Sequence, residues 1–187
     1  QLVYTLMAEV LNQSPNIVLA VPNYVKKIKF PLEILPMVSF IGSLFNALIS
    51  LLVLIAVAAA LGIYHWTALL APVVFMQMAL WCLGLGWLLS SLGVLFRDLQ
   101  QIMPLIAQIL LFATPIFYSP QLVPPEYQIV LAINPLAYMV ETLRGLVLWG
   151  QLPNWSIFAL WTLGGGLFAL FGLSVFQRLR HTFADIM

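Results

Sequence analysis

FRDLQQIMPLIAQILLFATPIFYSPQLVPPEYQIVLAINPLAYMVETLRGLVLW, residues 96–149, is the stretch on which the reading of this chain turns. It opens on a charged corner, Phe96-Arg97-Asp98, and becomes apolar through 102–118. Five of the twelve prolines then crowd the next part, at Pro115, Pro120, Pro124, Pro125 and Pro135. From 129 to 149 the chain is apolar again, with Glu141 and Arg144 inside that run. A membrane helix tolerates such breaks only where neighbouring protein or a water-filled cavity re-satisfies the freed backbone groups. The expected structure is a polar corner, one membrane helix over 100–118, and a broken segment over 119–149 that dips partway into the bilayer from the far side.

The rest of the chain agrees with a membrane setting. It is 63% hydrophobic and 7% charged, with mean hydropathy +1.06. Soluble domains carry about 25% charged residues. The fold class expected is an all-α integral membrane protein. A net charge of +1, with no basic-aromatic surface, gives no sign of a nucleic-acid partner. Cys82 is the single cysteine, which excludes a disulfide framework and zinc-ligand spacing. No metal site and no cofactor are expected.

In chain order, 1–11 is apolar but too short to cross, since a span needs roughly 20 residues. It is read as the end of a span that begins outside this sequence. Residues 12–33 form a polar exit with Pro15, Pro22 and the cluster Lys26, Lys27 and Lys29, where Ser14 or Asn16 would cap a short surface helix. A solvated, positively charged loop is an equal reading of the same residues. A full span follows over 34–61. Its polar residues Ser39, Ser43, Asn46 and Ser50 recur at helical spacing on one face. That face suits close helix packing, or a polar lining. The next span, 68–95, repeats the pattern with Gly86, Ser90 and Gly93. The last, 154–177, carries Gly165, Ala169 and Gly172 on one face, and 178–187 is a polar tail.

Threading these spans alternately places Lys26, Lys27, Lys29, Arg97, Arg178 and Arg180 on one side, and Arg144 on the other. The positive side is the cytosol, so the C-terminus is expected there. Enzymatic constellations are missing from the sequence. Two histidines and one cysteine give no nucleophile with its base, and no G-x-x-x-x-G-K-[ST] run is present to cradle a nucleotide. Uphill transport would need energy from another polypeptide. Glu141 and Arg144, at i and i+3, can pair on a helix. Such a pair either sits near the headgroups or holds the broken segment together, and losing one charge should then harm more than losing both.

Three stretches together carry a resemblance: Leu95-Phe96-Arg97-Asp98-Leu99-Gln100-Gln101-Ile102-Met103-Pro104, then Ala113-Thr114-Pro115-Ile116-Phe117-Tyr118, then Asn134-Pro135-Leu136 leading to Glu141 and Arg144. In this order they resemble the membrane subunits of ABC-2 type exporters, above all the branch that carries O-antigen, capsule or teichoic acid polysaccharides. Phe30-Pro31-Leu32-Glu33-Ile34-Leu35-Pro36 looks like that branch's cytosolic turn. The resemblance implies a type V exporter domain with four complete spans and the end of a fifth, in a bacterial inner membrane. It implies two copies around a path for a glycan or glycolipid among membrane lipid, with two ATP-binding-cassette subunits docked below. Asn16, Lys26, Lys27, Lys29, Arg97 and Asp98 would then couple to those subunits. Phe112, Phe117, Tyr118 and Tyr138 would face the sugar chain, although each also fits plain packing or interfacial anchoring. The other readings are an ABC-2 exporter of a drug or small lipid, a passive channel, and a membrane-embedded transferase. The last two fit poorly, for want of filter-like residues and of an acid–base set.

Overall fold

A computed structural model describes residues 1–22, 31–63 and 65–186. Lys26, Lys27 and Lys29 lie outside the described residues. All regular structure among the described residues is helical. The helices are α1 (Leu2–Ile17), α2 (Ile34–Ala60), α3 (Ala71–Leu95), α4 (Leu99–Ala113), α5 (Pro125–Ile133), α6 (Pro135–Arg144) and α7 (Trp155–Ile186). A turn of 3-10 helix, Trp66–Leu70, leads into α3, and a π-helical turn, Gly145–Trp149, follows α6.

Three of these stretches are long and apolar enough to cross a bilayer: Ile34–Ala60, Trp66–Leu95 and Trp155–Phe183. The pair Pro125–Ile133 and Pro135–Trp149 passes the same test jointly but is bent by 92°. The chain is a multi-pass membrane protein. The bend has a local cause. Asn134 leaves the helical region, Pro135 cannot donate to the preceding turn, and the Asn134 side chain accepts a hydrogen bond from the Leu136 amide at 3.0 Å. A new helix is thereby capped and started in a fresh direction.

Three expectations are corrected. Residues 100–118 do not form one long helix: α4 has 15 residues and stops at Ala113. Pro115 disfavours helical geometry at the residue before it, and Thr114 is extended. Ser14 and Asn16 do not cap a surface helix. Both lie inside α1, which runs on past Leu11 to Ile17, with Ser14 and Pro15 buried. The polar tail from 178 is not separate either, because α7 continues through Arg178 and Arg180 to Ile186.

α3 is the hub, buried on most sides. α7 lies against it through small residues: a Cβ on Gly172 would strike the Gly84 carbonyl, and one on Gly165 would strike the Trp81 indole. α1 crosses it where Gly93 leaves room for the Pro15 backbone. Such close approach gains dispersion contacts and costs no side-chain entropy, which is how helices associate where lipid removes the hydrophobic drive. Polar side chains between them are partly matched, with Gln77 Oε1 left buried without a partner among the described residues. Gln77 donates to the Phe158 carbonyl and to Thr162 Oγ1, both at 2.9 Å, and Trp81 Nε1 donates to the Trp161 carbonyl at 3.2 Å.

Candidate functional site

The corner where α6 meets the end of α4 is built around Arg144. α6 ends on this residue, and the π turn after it closes at Gly150, whose φ of +64° favours glycine. The guanidinium pairs with Glu141 one turn back. Its second nitrogen donates to the Pro115 carbonyl at 2.9 Å and the Ile116 carbonyl at 3.1 Å. Those carbonyls lie just beyond the end of α4, where no helix continues to supply donors. Asn134 Nδ2 approaches Thr114 Oγ1 at 3.4 Å from the α5–α6 junction. One cation thus holds α6 to the broken end of α4. Arg is suited to this, since its planar fork can serve a carboxylate and two carbonyls at once. The sequence showed the i,i+3 pair. It gave no sign of the two carbonyls, which are 28 and 29 residues away along the chain.

The four aromatic residues do not converge. Phe112 and Phe117 are about two-thirds exposed, at 68% and 70%. Tyr118 donates its hydroxyl to the Phe112 carbonyl at 3.1 Å, bracing the turn after α4. Tyr138 instead stacks on Trp161 of α7, with centroids 6.1 Å apart. Its hydroxyl is buried without a partner among the described residues.

At the opposite end of the bundle, Arg97 and Asp98 are exposed in the corner between α3 and α4, and Asp98 begins α4 with its backbone carbonyl rather than its side chain. Near them Val18, Leu32, Trp87, Val94, Phe176 and Phe183 close a second apolar cluster. Trp87 Nε1 donates to the Glu33 carbonyl at 2.9 Å, and Arg180 pairs with the Glu33 carboxylate at 2.5 Å. The segment before α2, the end of α3 and the end of α7 are therefore fastened together. Asn16 lies in the last turn of α1, half-buried on the same side as Val18.

A further feature escaped sequence reasoning. Glu9, which looks isolated in the sequence, lines the same cleft as Ser43 and Asn46 of α2. Only the packing of α1 on α2 could reveal this.

The helical bundle, with its bent helix pair, can be set beside known proteins. The family model described as ABC-2 type transporter matches residues 1–148, most of the chain. The chain belongs to the ABC-2 type transporter family. Within this ABC-2 type transporter, the match takes in α1 to α6 and the corner held by Arg144. Among curated relatives it is similar to "O-antigen export system permease protein RfbA" of Klebsiella pneumoniae, 26% identical over 165 residues, covering 87% of this chain and 63% of that protein. It is also similar to the protein of the same name from Myxococcus xanthus, 27% identical over 171 residues, covering 85% of this chain and 62% of that one. The chain therefore spans less than two thirds of the length of these relatives.

Proposed function

We propose that this chain is the membrane permease of an ABC exporter that moves a polysaccharide, carried on a lipid, across the bacterial inner membrane. The observation that carries the reading is its similarity, over most of its length, to two O-antigen export permeases. Energy comes from ATP hydrolysis on separate ATP-binding-cassette subunits, in keeping with a sequence that lacks a phosphate-cradling run. Two copies of the permease face one another, and two ATP-binding subunits dock beneath. In this arrangement α2, α3, α7 and α4 with its extended continuation cross the membrane, α1 is part of a fifth span, and the bent α5–α6 pair is re-entrant on the outer side.

The roles follow from position. Arg97, Asp98 and Asn16, with Lys26, Lys27 and Lys29, form the cytosolic coupling surface. The Glu33–Arg180 clamp supports this, because a push on the segment before α2 would reach α3 and α7 directly. Phe112 and Phe117 present exposed ring faces, and Tyr118 a partly exposed one, to a passing sugar chain, whose CH faces lie against aromatic rings while its hydroxyls stay wet. Tyr138, stacked on Trp161, supports the path from behind. Glu141 and Arg144 keep the outer corner in shape.

The test is deletion of the gene in its own bacterium, followed by electrophoresis of the surface polysaccharide. The expected result is loss of the surface chains, their accumulation inside the cell, and recovery on complementation. Unchanged surface polysaccharide together with a new drug sensitivity would instead favour the small-molecule exporter.

A further inference from the structure

A polar slot runs between α1 and α2, away from the exposed aromatics and the outer corner. α1 turns Thr5, Glu9 and Gln13 towards it at i, i+4 and i+8, one above another on a single face. α2 supplies Ser43, Asn46 and Ser50 from the facing wall. Two cavities, of about 180 Å³ and about 550 Å³, share Glu9, Ser43 and Asn46, so they run into one another. From Thr5 to Gln13 the slot extends about 12 Å along the helix axis, at 1.5 Å per residue.

Part of this polarity is satisfied within the protein. Ser39 donates to Gln13 Oε1 at 2.8 Å, Ser50 to the Asn46 carbonyl at 2.9 Å, and Thr5 to the Gln1 carbonyl at 3.2 Å. The centre is different. Ser43 is buried, at 5% exposure, and the residue lines both cavities. The Ser43 hydroxyl, the Glu9 carboxylate and the Asn46 amide have no hydrogen-bond partner among the described residues. The ion pairs there are Arg144–Glu141 and Arg180–Glu33, so Glu9 belongs to neither.

Asn46 is exposed at the slot and Glu9 is half-buried, so both are open to a ligand. Unpaired polar groups on a membrane helix are costly against hydrocarbon. Lipid tails cannot cover them, and a helix bearing apolar side chains would leave the same groups unmatched. What fits is elongated, free of negative charge here and rich in hydroxyl donors, because the slot offers a carboxylate, hydroxyls and an amide carbonyl as acceptors. A sugar chain has this chemistry. We propose that the slot is a glycan-holding site, in which Glu9 accepts hydrogen bonds from sugar hydroxyls while Ser43 and Asn46 bond the neighbouring ones. The inference rests on the polysaccharide-export reading and adds where in the membrane the sugar is gripped. A second copy of the chain, or another helix, seated in the slot is the competing outcome.

The experiment uses the full chain in complex with its ATP-binding subunit, carrying Cys82→Ala and either Asn46→Cys or, as an exposed control on α2, Leu52→Cys. Inverted membrane vesicles are treated with a small charged methanethiosulfonate reagent. One set comes from cells making the sugar chain and one from cells unable to make it, each with vanadate to arrest transport. Position 46 should react at least tenfold faster than position 52, and at least threefold more slowly when the sugar chain is present. A second measurement covers Glu9→Gln, which should lower export about tenfold while leaving the amount of folded complex unchanged; export at the wild-type rate overturns the proposal. Failure of position 46 to react in either set means that protein fills the slot, and overturns the proposal. Reaction indifferent to the sugar means a merely hydrated slot, and also overturns it. Deletion of the gene separates the two readings: intact surface polysaccharide after deletion defeats the export reading itself, whereas its loss combined with indifferent labelling defeats the slot alone.

Discussion

Arg144 shows how one side chain can hold a broken region of membrane backbone. The i,i+3 spacing with Glu141 suggests a self-contained pair, and for such a pair the double neutralisation is milder than the single one. The structure changes that expectation, because Arg144 also serves the Pro115 and Ile116 carbonyls. Neutralising Glu141 as well does nothing for those two acceptors. Arg144→Gln should therefore lower the stability of the purified protein by about 2–3 kcal/mol, in the range for breaking a partly buried charged hydrogen-bond set. Glu141→Gln, which can still accept from Arg144, should cost about 1 kcal/mol or less. The double variant should track Arg144→Gln. Arg144→Lys should recover only part of the loss, since a point charge cannot reach three acceptors as a planar fork does. Thermal unfolding of the four variants in detergent, followed by size-exclusion fluorescence, decides this. A double variant close to wild type would mean that the carbonyl contacts carry no weight.

Small residues decide how closely the helices approach, and they differ sharply in what they face. Gly172 and Gly93 lie against backbone: a side chain at the first would meet the Gly84 carbonyl, and at the second the Pro15 carbonyl. Backbone cannot swing aside, so Gly172→Ala and Gly93→Ala should each destabilise by about 1–3 kcal/mol, as overpacking does. Gly166 and Gly42 face open space, and Gly→Ala there should be neutral or should gain up to about 1 kcal/mol from helix propensity. The same unfolding measurement separates the pairs, and equal effects at all four would show that the helices are free to slide. These stripes could be read in the sequence because helical spacing alone puts Gly86, Ser90 and Gly93 on one face, and Gly165, Ala169 and Gly172 on another. The proline breaks could be read for a similar reason, since Pro115 and Pro135 act on the residues beside them. Two features resisted. The end of α4 at Ala113 was missed although Pro115 signals it, because the chain stays apolar to Tyr118 and hydropathy carries no record of where backbone bonds stop. The course of α1 through Ser14-Pro15-Asn16 was hidden because polar residues beside a proline look like an exit loop. Pro15 lies in the last turn of α1, its backbone packed against Gly93 of α3, a partner far away in sequence.

Across the whole molecule, charge and packing point to the same orientation. Arg180 pairs with Glu33, and both lie with the ends of α3 and α7 around the second apolar cluster. Arg97 follows directly from that end of α3. At the other end, Thr67 donates to the Leu146 carbonyl at 2.6 Å, close after Arg144, and His65 lies against Gly150. Arg97, Arg178 and Arg180 therefore share one end of the bundle, and Arg144 is at the other. The lysines at 26, 27 and 29 join the first group if the spans alternate. Each such cation gains about 1 kcal/mol beside an anionic cytosolic leaflet, so six against one is a bias that one misplaced residue cannot reverse. The expected orientation puts the Arg97 corner and the C-terminus in the cytosol, with the α4–α5 turn outside. Single cysteines replacing Arg97 or Gln121, both exposed, test it in the full chain with Cys82→Ala. An impermeant maleimide applied to intact spheroplasts should label position 121 at once and position 97 only after the membrane is opened. Labelling of 97 in intact cells would invert the protein. It would also move Asn16, Arg97 and Asp98 away from any ATP-binding subunit, and the coupling surface would have to be sought at the Arg144 end.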